Sequence, residues 1–171
     1  MVVCSGLQKY WCLAVSNKSS YKILISACLL GEAVRYDGGS CAQCLDDVSK
    51  QRIQKWQAQG LLLPLCPEVA GGLPVPRPAA EICGELIQTK AGDDVTQAFH
   101  AGAAKALDLC KTHHIHTAIL KQGSPSCGNS LINDGSFTKT KIEGQGITAR
   151  LLLEHGISVF NEQEIEQIPP F

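Results

Sequence analysis

Residues 22–28 read KILISAC, and this stretch decides the fold class. The run is short, apolar and rich in Ile, and it stops at Cys28 and Gly31, which predicts a strand over Lys22–Ala27 buried on both faces. The same signature returns three times. Leu61–Leu65 ends at Cys66–Pro67, Thr117–Lys121 (TAILK) runs into the loop GSPSCG, and Ile157–Phe160 closes the series. The segments between them predict helices. Cys41–Gln59 is polar, with Val48, Ile53 and Trp56 at helical offsets and Gly60 as its stop. Thr96–His113 carries Phe99, Ala103, Ala106, Leu107 and Cys110 on one face, and Gly146–His155 ends at Gly156. The prolines of GGLPVPRPAAEICG (71–84) exclude a long helix there and predict a loop. Strands alternating with helices imply βαβ units, hence a Rossmann-like three-layer α/β domain with a mainly parallel sheet.

The whole chain has 171 residues, the size of one domain, assigned here to residues 21–171 with an N-terminal extension over residues 1–20. At 44% hydrophobic and 18% charged residues it is not a disordered chain. Fifteen basic against sixteen acidic residues argue against a strongly basic nucleic-acid module. No apolar run approaches the ~18 residues of a membrane span. The nine cysteines are the unusual number; being odd, they cannot all pair internally. The first segment lacks the basic start of a signal peptide, and Lys9, Tyr10 and Trp11 interrupt its apolar stretch. A reducing, cytoplasmic setting is therefore expected, where cysteines serve as ligands, nucleophiles or small buried hydrophobes.

Cys28 follows the first strand, Cys66 the second, and Cys127 lies in the loop after the third. In an open parallel sheet the loops beyond the carboxyl ends of the strands form the ligand crevice, so three thiols distant in sequence meet at one edge. Structural zinc asks for four ligands, with its cysteines in close pairs. Three dispersed thiolates suit a cubane iron–sulfur cluster with one open iron, unless they are core cysteines. Cys41 and Cys44 form a C-x-x-C that reads as a redox pair, as half of a zinc site with His113, His114 and His116, or as incidental. Cys83 and Cys110 lie in apolar surroundings and read as core. Near the same edge, Glu68 suits a general base or a partner for a substrate N–H, and Ser124 and Ser126 offer hydroxyls beside Cys127. Asp37, Arg77 and Ser126 are the candidate substrate-binding groups, Arg77 for a phosphate or carbonyl oxygen; salt bridging by Asp37, Arg77 and Glu81 is the competing reading. Asp93–Thr96 reads as the cap of the following helix.

SACLLG with RYDGG, CPEVAGGLPVPRPAAEI, DDVTQAFHAGA, LKQGSPSCG, DGSF and GQGITARLLLEHGISVFNE together resemble the thiouracil desulfidases, a family long catalogued as a domain of unknown function. The resemblance covers Lys22 to Glu162 in order and with natural spacing. It implies a Rossmann-like domain holding a 4Fe-4S cluster through three cysteines, which fall on Cys28, Cys66 and Cys127. The fourth iron is then open to the sulfur of a thiolated pyrimidine, a thiouracil base or the nucleotide 4-thiouridine monophosphate. Glu68 and Ser124 are carried over as groups assisting hydrolysis. Two positions depart from the family pattern: Gln122 stands where Glu is expected and Asn133 where Tyr is expected. The competing reading is a cysteine-rich zinc-binding or thiol-redox module without desulfidase activity.

Overall fold

The computed structural model describes residues 21–171; residues 1–20, with Cys4 and Cys12, lie outside the described residues, and so does the extension expected there. In chain order the elements are β1 (Ile23–Ser26), α1 (Asp47–Ala58), β2 (Leu62–Leu65), α2 (Pro67–Ala70), β3 (Ala80–Cys83) and β4 (Leu86–Thr89). There follow α3 (Thr96–His113), β5 (Thr117–Leu120), β6 (Leu131–Asn133), β7 (Lys141–Glu143), α4 (Ile147–Glu154) and β8 (Ser158–Asn161). The four strands expected from the apolar runs form one parallel sheet in the order β2-β1-β5-β8.

Every residue of β1 is buried, because helices cover both faces of the sheet. Ile23, Ile25 and Ile119 pack with Ile53 and Trp56 of α1 and with Ile165 and Ile168 near the C-terminus. Leu24, Ala118 and Leu120 point the other way, onto Ala106, Leu107 and Cys110 of α3 and Ala149 and Leu152 of α4. Side chains alternating across the pleat thus build two cores from one set of apolar runs. From β1 the chain passes through α1 to β2 on one side, and it later returns to place β5 on the other. The crevice beyond the carboxyl ends of β1 and β5 is therefore a topological switch point.

Two expectations need correction. The helix predicted from Cys41 starts only at Asp47, because the Asp46 carboxylate caps it by accepting from the Ser49 N–H at 2.7 Å. Residues 42–44 form a separate 3-10 turn ahead of that cap. The segment expected as plain loop contains β3, which pairs with β4 as an antiparallel hairpin, and β6 and β7 form a second unforeseen hairpin. Among the described residues no helix is long and apolar enough to cross a membrane.

Candidate active site

Three loops bring the three cysteines to the switch point, each by a local device. After β1 the chain winds into a 3-10 turn, Ala27–Leu30, that holds Cys28 with 9% of its surface exposed. Gly31 ends the turn at φ 94°, a left-handed conformation that glycine adopts without strain. After β2, Cys66 occupies the cap position of α2, with Pro67 next where its missing N–H costs nothing. After β5, the loop Ser124–Gly128 lies across the start of α4. The N–H groups of Gly146, Ile147 and Thr148 donate to the carbonyls of Gly128, Pro125 and Ser126. The first turn of a helix has donors with no partner inside the helix, and here they clamp the loop that carries Cys127. On the other side α2 presses onto α3 so closely that a Cβ at Gly102 would stand 2.0 Å from the Pro67 carbonyl oxygen.

The thiols sense one another. Burial pushes the Cys28 thiol up to about 12; Cys41 and Cys66 add to the rise, while Arg35 and Lys121 oppose it. The Cys66 thiol is raised by burial above all. Cys127 is raised furthest, by burial first, then by Glu68 and by the Cys28 and Cys66 sulfurs. The Ser26 hydroxyl, 3.7 Å from the Cys127 Sγ, works against that rise. All three cysteines are free. Without a metal these are neutral thiols at physiological pH; a metal centre displaces such protons and holds the thiolates.

The chemistry of the donors bears on the kind of centre they suit. Among the described residues no group of three or more His, Cys, Asp or Glu side chains is arranged about a single ion, as zinc with ligands at about 2.3 Å requires. The same finding leaves Cys41 and Cys44 without help from His113, His114 or His116. An iron–sulfur core meets each thiolate at a different iron and so accepts cysteines that converge without touching one centre. The three thiols fit that kind of group.

Glu68 lies in α2, two residues beyond Cys66, and faces the Cys127 loop. Its Oε2 accepts from Arg77 Nε at 3.0 Å and Nη2 at 2.7 Å, and its Oε1 accepts from the Ser124 hydroxyl at 3.3 Å. The Ser124 Oγ also accepts from the N–H groups of Ser126 and Cys127, so one hydroxyl joins the carboxylate to the cysteine loop. The remaining Arg77 donors go to the carbonyls of Val34 and Pro74, so its guanidinium is fully engaged with the protein. The Ser126 hydroxyl is buried against that of Thr148 at 2.9 Å. Asp37 stays largely exposed, taking the Gly39 N–H and the Arg35 guanidinium. These contacts, the Gly39 N–H foremost, lower its carboxyl below the usual value.

Four residues enter the site that the sequence reading did not single out: Ser26, Arg35, Lys121 and Glu162. Arg35 Nη1 donates to the Cys41 Sγ at 3.1 Å. Burial works against the Lys121 charge, but the ion pair with Glu162 keeps its ammonium raised, facing Cys41 and Cys44. A lysine closing an otherwise apolar strand was the available signal. The two departures from the family pattern have visible contacts. Gln122 Oε1 accepts from the N–H groups of Gly123, Asn129 and Leu131, an acceptor role that a Glu side chain fills equally. Asn133 donates to Glu81 at 2.8 Å, and its Oδ1 is buried without a partner.

The family model described as 2-thiouracil desulfurase matches residues 23–164. A Bacillus subtilis (strain 168) relative known as uncharacterized protein YbbK is 38% identical over 156 residues, covering 85% of this chain and 99% of its own length. A solved structure described as the 4Fe-4S-dependent thiouracil desulfidase TudS is 47% identical, with a TM-score of 0.80, covering 86% of this chain and 94% of that one.

Proposed function

The chain belongs to the 2-thiouracil desulfurase family, and we propose that it is a 4Fe-4S-dependent desulfidase converting a thiolated pyrimidine to its oxo form with release of hydrosulfide. The observation that supports this reading is that Cys28, Cys66 and Cys127 follow the carboxyl ends of three adjacent parallel strands, near a carboxylate held by Arg77 and Ser124.

Cys28, Cys66 and Cys127 are the residues that would hold the cluster. When bound, it supplies a Lewis-acidic iron without a protein ligand, suited to a soft thiocarbonyl sulfur. Glu68 takes the proton of the attacking water at Oε1, the oxygen that Arg77 leaves free. Arg77 acts as a positioning residue: two parallel donors to Oε2 fix the plane of the carboxylate. Ser124 is a second positioning residue: its hydroxyl donates to Glu68 Oε1 and accepts from two N–H groups of the cysteine loop, holding the carboxylate against that loop. Asp37, exposed and paired with Arg35, would meet polar groups of a base or nucleotide. Ser126 supports the site through the loop backbone, its hydroxyl being tied to Thr148. The substrates in this reading are thiouracil and its nucleotides, met in a reducing, cytoplasmic compartment.

The test is anaerobic reconstitution of the full chain with iron and sulfide, followed by incubation with 2-thiouracil and with 4-thiouridine monophosphate. The expected result is one cluster per chain and conversion to the oxo-pyrimidine with hydrosulfide in equal amount. Iron binding without conversion of either compound would leave the cluster and overturn the activity; stoichiometric zinc without iron or sulfide would overturn both.

A further inference from the structure

The C-x-x-C of residues 41–44 stands beside the site and takes no part in the chemistry above. Cys41 precedes the 3-10 turn Ala42–Cys44, and the Cys44 N–H donates to the Cys41 carbonyl at 2.9 Å. With three residues per turn, side chains at i and i+3 eclipse one another. Accordingly the two sulfurs lie 2.7 Å apart, inside ordinary sulfur contact distance and both as free thiols. Their surroundings are unequal. Cys41 is 2% exposed, receives Arg35 Nη1 at 3.1 Å, and is anchored by its own N–H to the Cys28 carbonyl at 2.8 Å. Cys44 is exposed. No third ligand completes a metal site around them among the described residues.

We propose that Cys41 and Cys44 form a redox-active dithiol that low-molecular-weight disulfides oxidise reversibly, separate from the three cluster cysteines and independent of the desulfidase reading. The Cys44 thiol, reachable from solvent, gives up its proton as its sulfur attacks one sulfur of glutathione disulfide, and the first glutathione leaves as a thiolate that takes up that proton. The Cys41 sulfur, already in contact, then attacks Cys44 Sγ, forming the Cys41–Cys44 bond and expelling the second glutathione. Two electrons pass from the pair to the glutathione disulfide, and the two thiol protons end on the two glutathione molecules. Closing the bond to about 2.05 Å needs only a small approach of two sulfurs that already face each other. Exposure makes Cys44 the entry point, and burial makes Cys41 the resolving thiol.

The experiment exposes the cluster-loaded full chain to glutathione disulfide without oxygen, blocks remaining thiols by alkylation, and maps the peptides by mass spectrometry. The expected result is loss of two alkylatable thiols, one disulfide joining Cys41 to Cys44, unchanged iron content, and full reversal by dithiothreitol. Cys41→Ser should accumulate a glutathione adduct on Cys44, and Cys44→Ser should leave Cys41 unmodified. Should Cys41→Ser fail to fold, the wild-type map and the exposed-site variant decide. Continued alkylation of both residues in the wild type, or a disulfide that joins either of them to Cys28 or any other cysteine, would overturn the proposal. Thiouracil turnover does not enter the readout, so loss of the desulfidase reading would leave this result standing.

Discussion

Cys110 and Cys127 are both buried thiols in one domain, and burial raises both. Around Cys110, on α3, stand Leu24, Leu107, Ile115 and Ala118, and burial is the one cause that acts on it. Around Cys127 stand Glu68, the Ser26 hydroxyl and the sulfurs of Cys28 and Cys66. Exposure differs little between them and both belong to one apolar cluster; what differs is that only Cys127 also meets a carboxylate, a hydroxyl and other thiols. Burial sets the protonation of an isolated thiol, but convergence of loops at a switch point makes thiols into a donor set. Cys110 is a small hydrophobe of the core, and Cys127 is a proposed ligand at the edge.

The largest expected effect separates the two classes outright. Single replacement of Cys28, Cys66 or Cys127 by Ala should abolish cluster retention and turnover, whereas Cys110→Ala should keep full iron content, read by iron and sulfide analysis. Full occupancy in any of the first three removes that residue from the ligand set. Next comes the carboxylate. Glu68→Gln should retain the cluster and lose turnover per bound iron by about 10²–10⁴-fold, the usual worth of general-base assistance. Ser124→Ala, which removes hydrogen bonds of about 1 kcal/mol, should cost up to about tenfold. Near-normal turnover in Glu68→Gln would reduce that carboxylate to the role of an Arg77 partner.

Smaller effects test the packing behind the edge. Gly102→Ala drives a methyl group into the Pro67 carbonyl, so it should destabilise the fold by about 1–3 kcal/mol in urea unfolding and loosen α2, which carries Glu68. The last effect is electrostatic. Burial pushes the Cys110 thiol from 9.0 up to about 11. Above pH 9 the unfolded chain ionises this thiol while the folded chain keeps its proton, so stability falls as pH rises, by about 2 kcal/mol at pH 11. Cys110→Ala should remove that part of the alkaline loss, measured as the difference between the two unfolding free energies at pH 8 and pH 11. An unchanged pH slope would show that Cys110 ionises in the folded core.

The parallel sheet was legible because its strands are apolar runs that match no other burial pattern, and α3 and α4 because their apolar residues recur on one face. The hairpins were not. β7 reads Lys-Ile-Glu and is exposed throughout, and β3 follows a proline-rich stretch, so neither carries a strand signature in isolation. Helix α1 was placed too early because Cys41–Leu45 continues the polar pattern into a segment that the Asp46 cap cuts off. Likewise Arg77 and Glu68 read separately as a phosphate grip and a base, yet they form one ion pair between positions nine apart in the chain.

By itself, the order of apolar runs determined the fold class, and the cysteine that ends or follows three of them named the candidate ligands. That information is local: a buried strand must be apolar, and in a parallel sheet its carboxyl end has one direction. Only the tertiary structure decided which polar groups face those thiols and which face each other. Arg77 and Ser126 turned inward because a buried donor must find an acceptor, and the nearest ones were Glu68, two loop carbonyls and Thr148. The same packing brought Cys41 into contact with the Cys28 carbonyl and the Arg35 guanidinium. Hydrogen bonds across long stretches of chain depend on three-dimensional approach, and no pattern along the chain carries that distance.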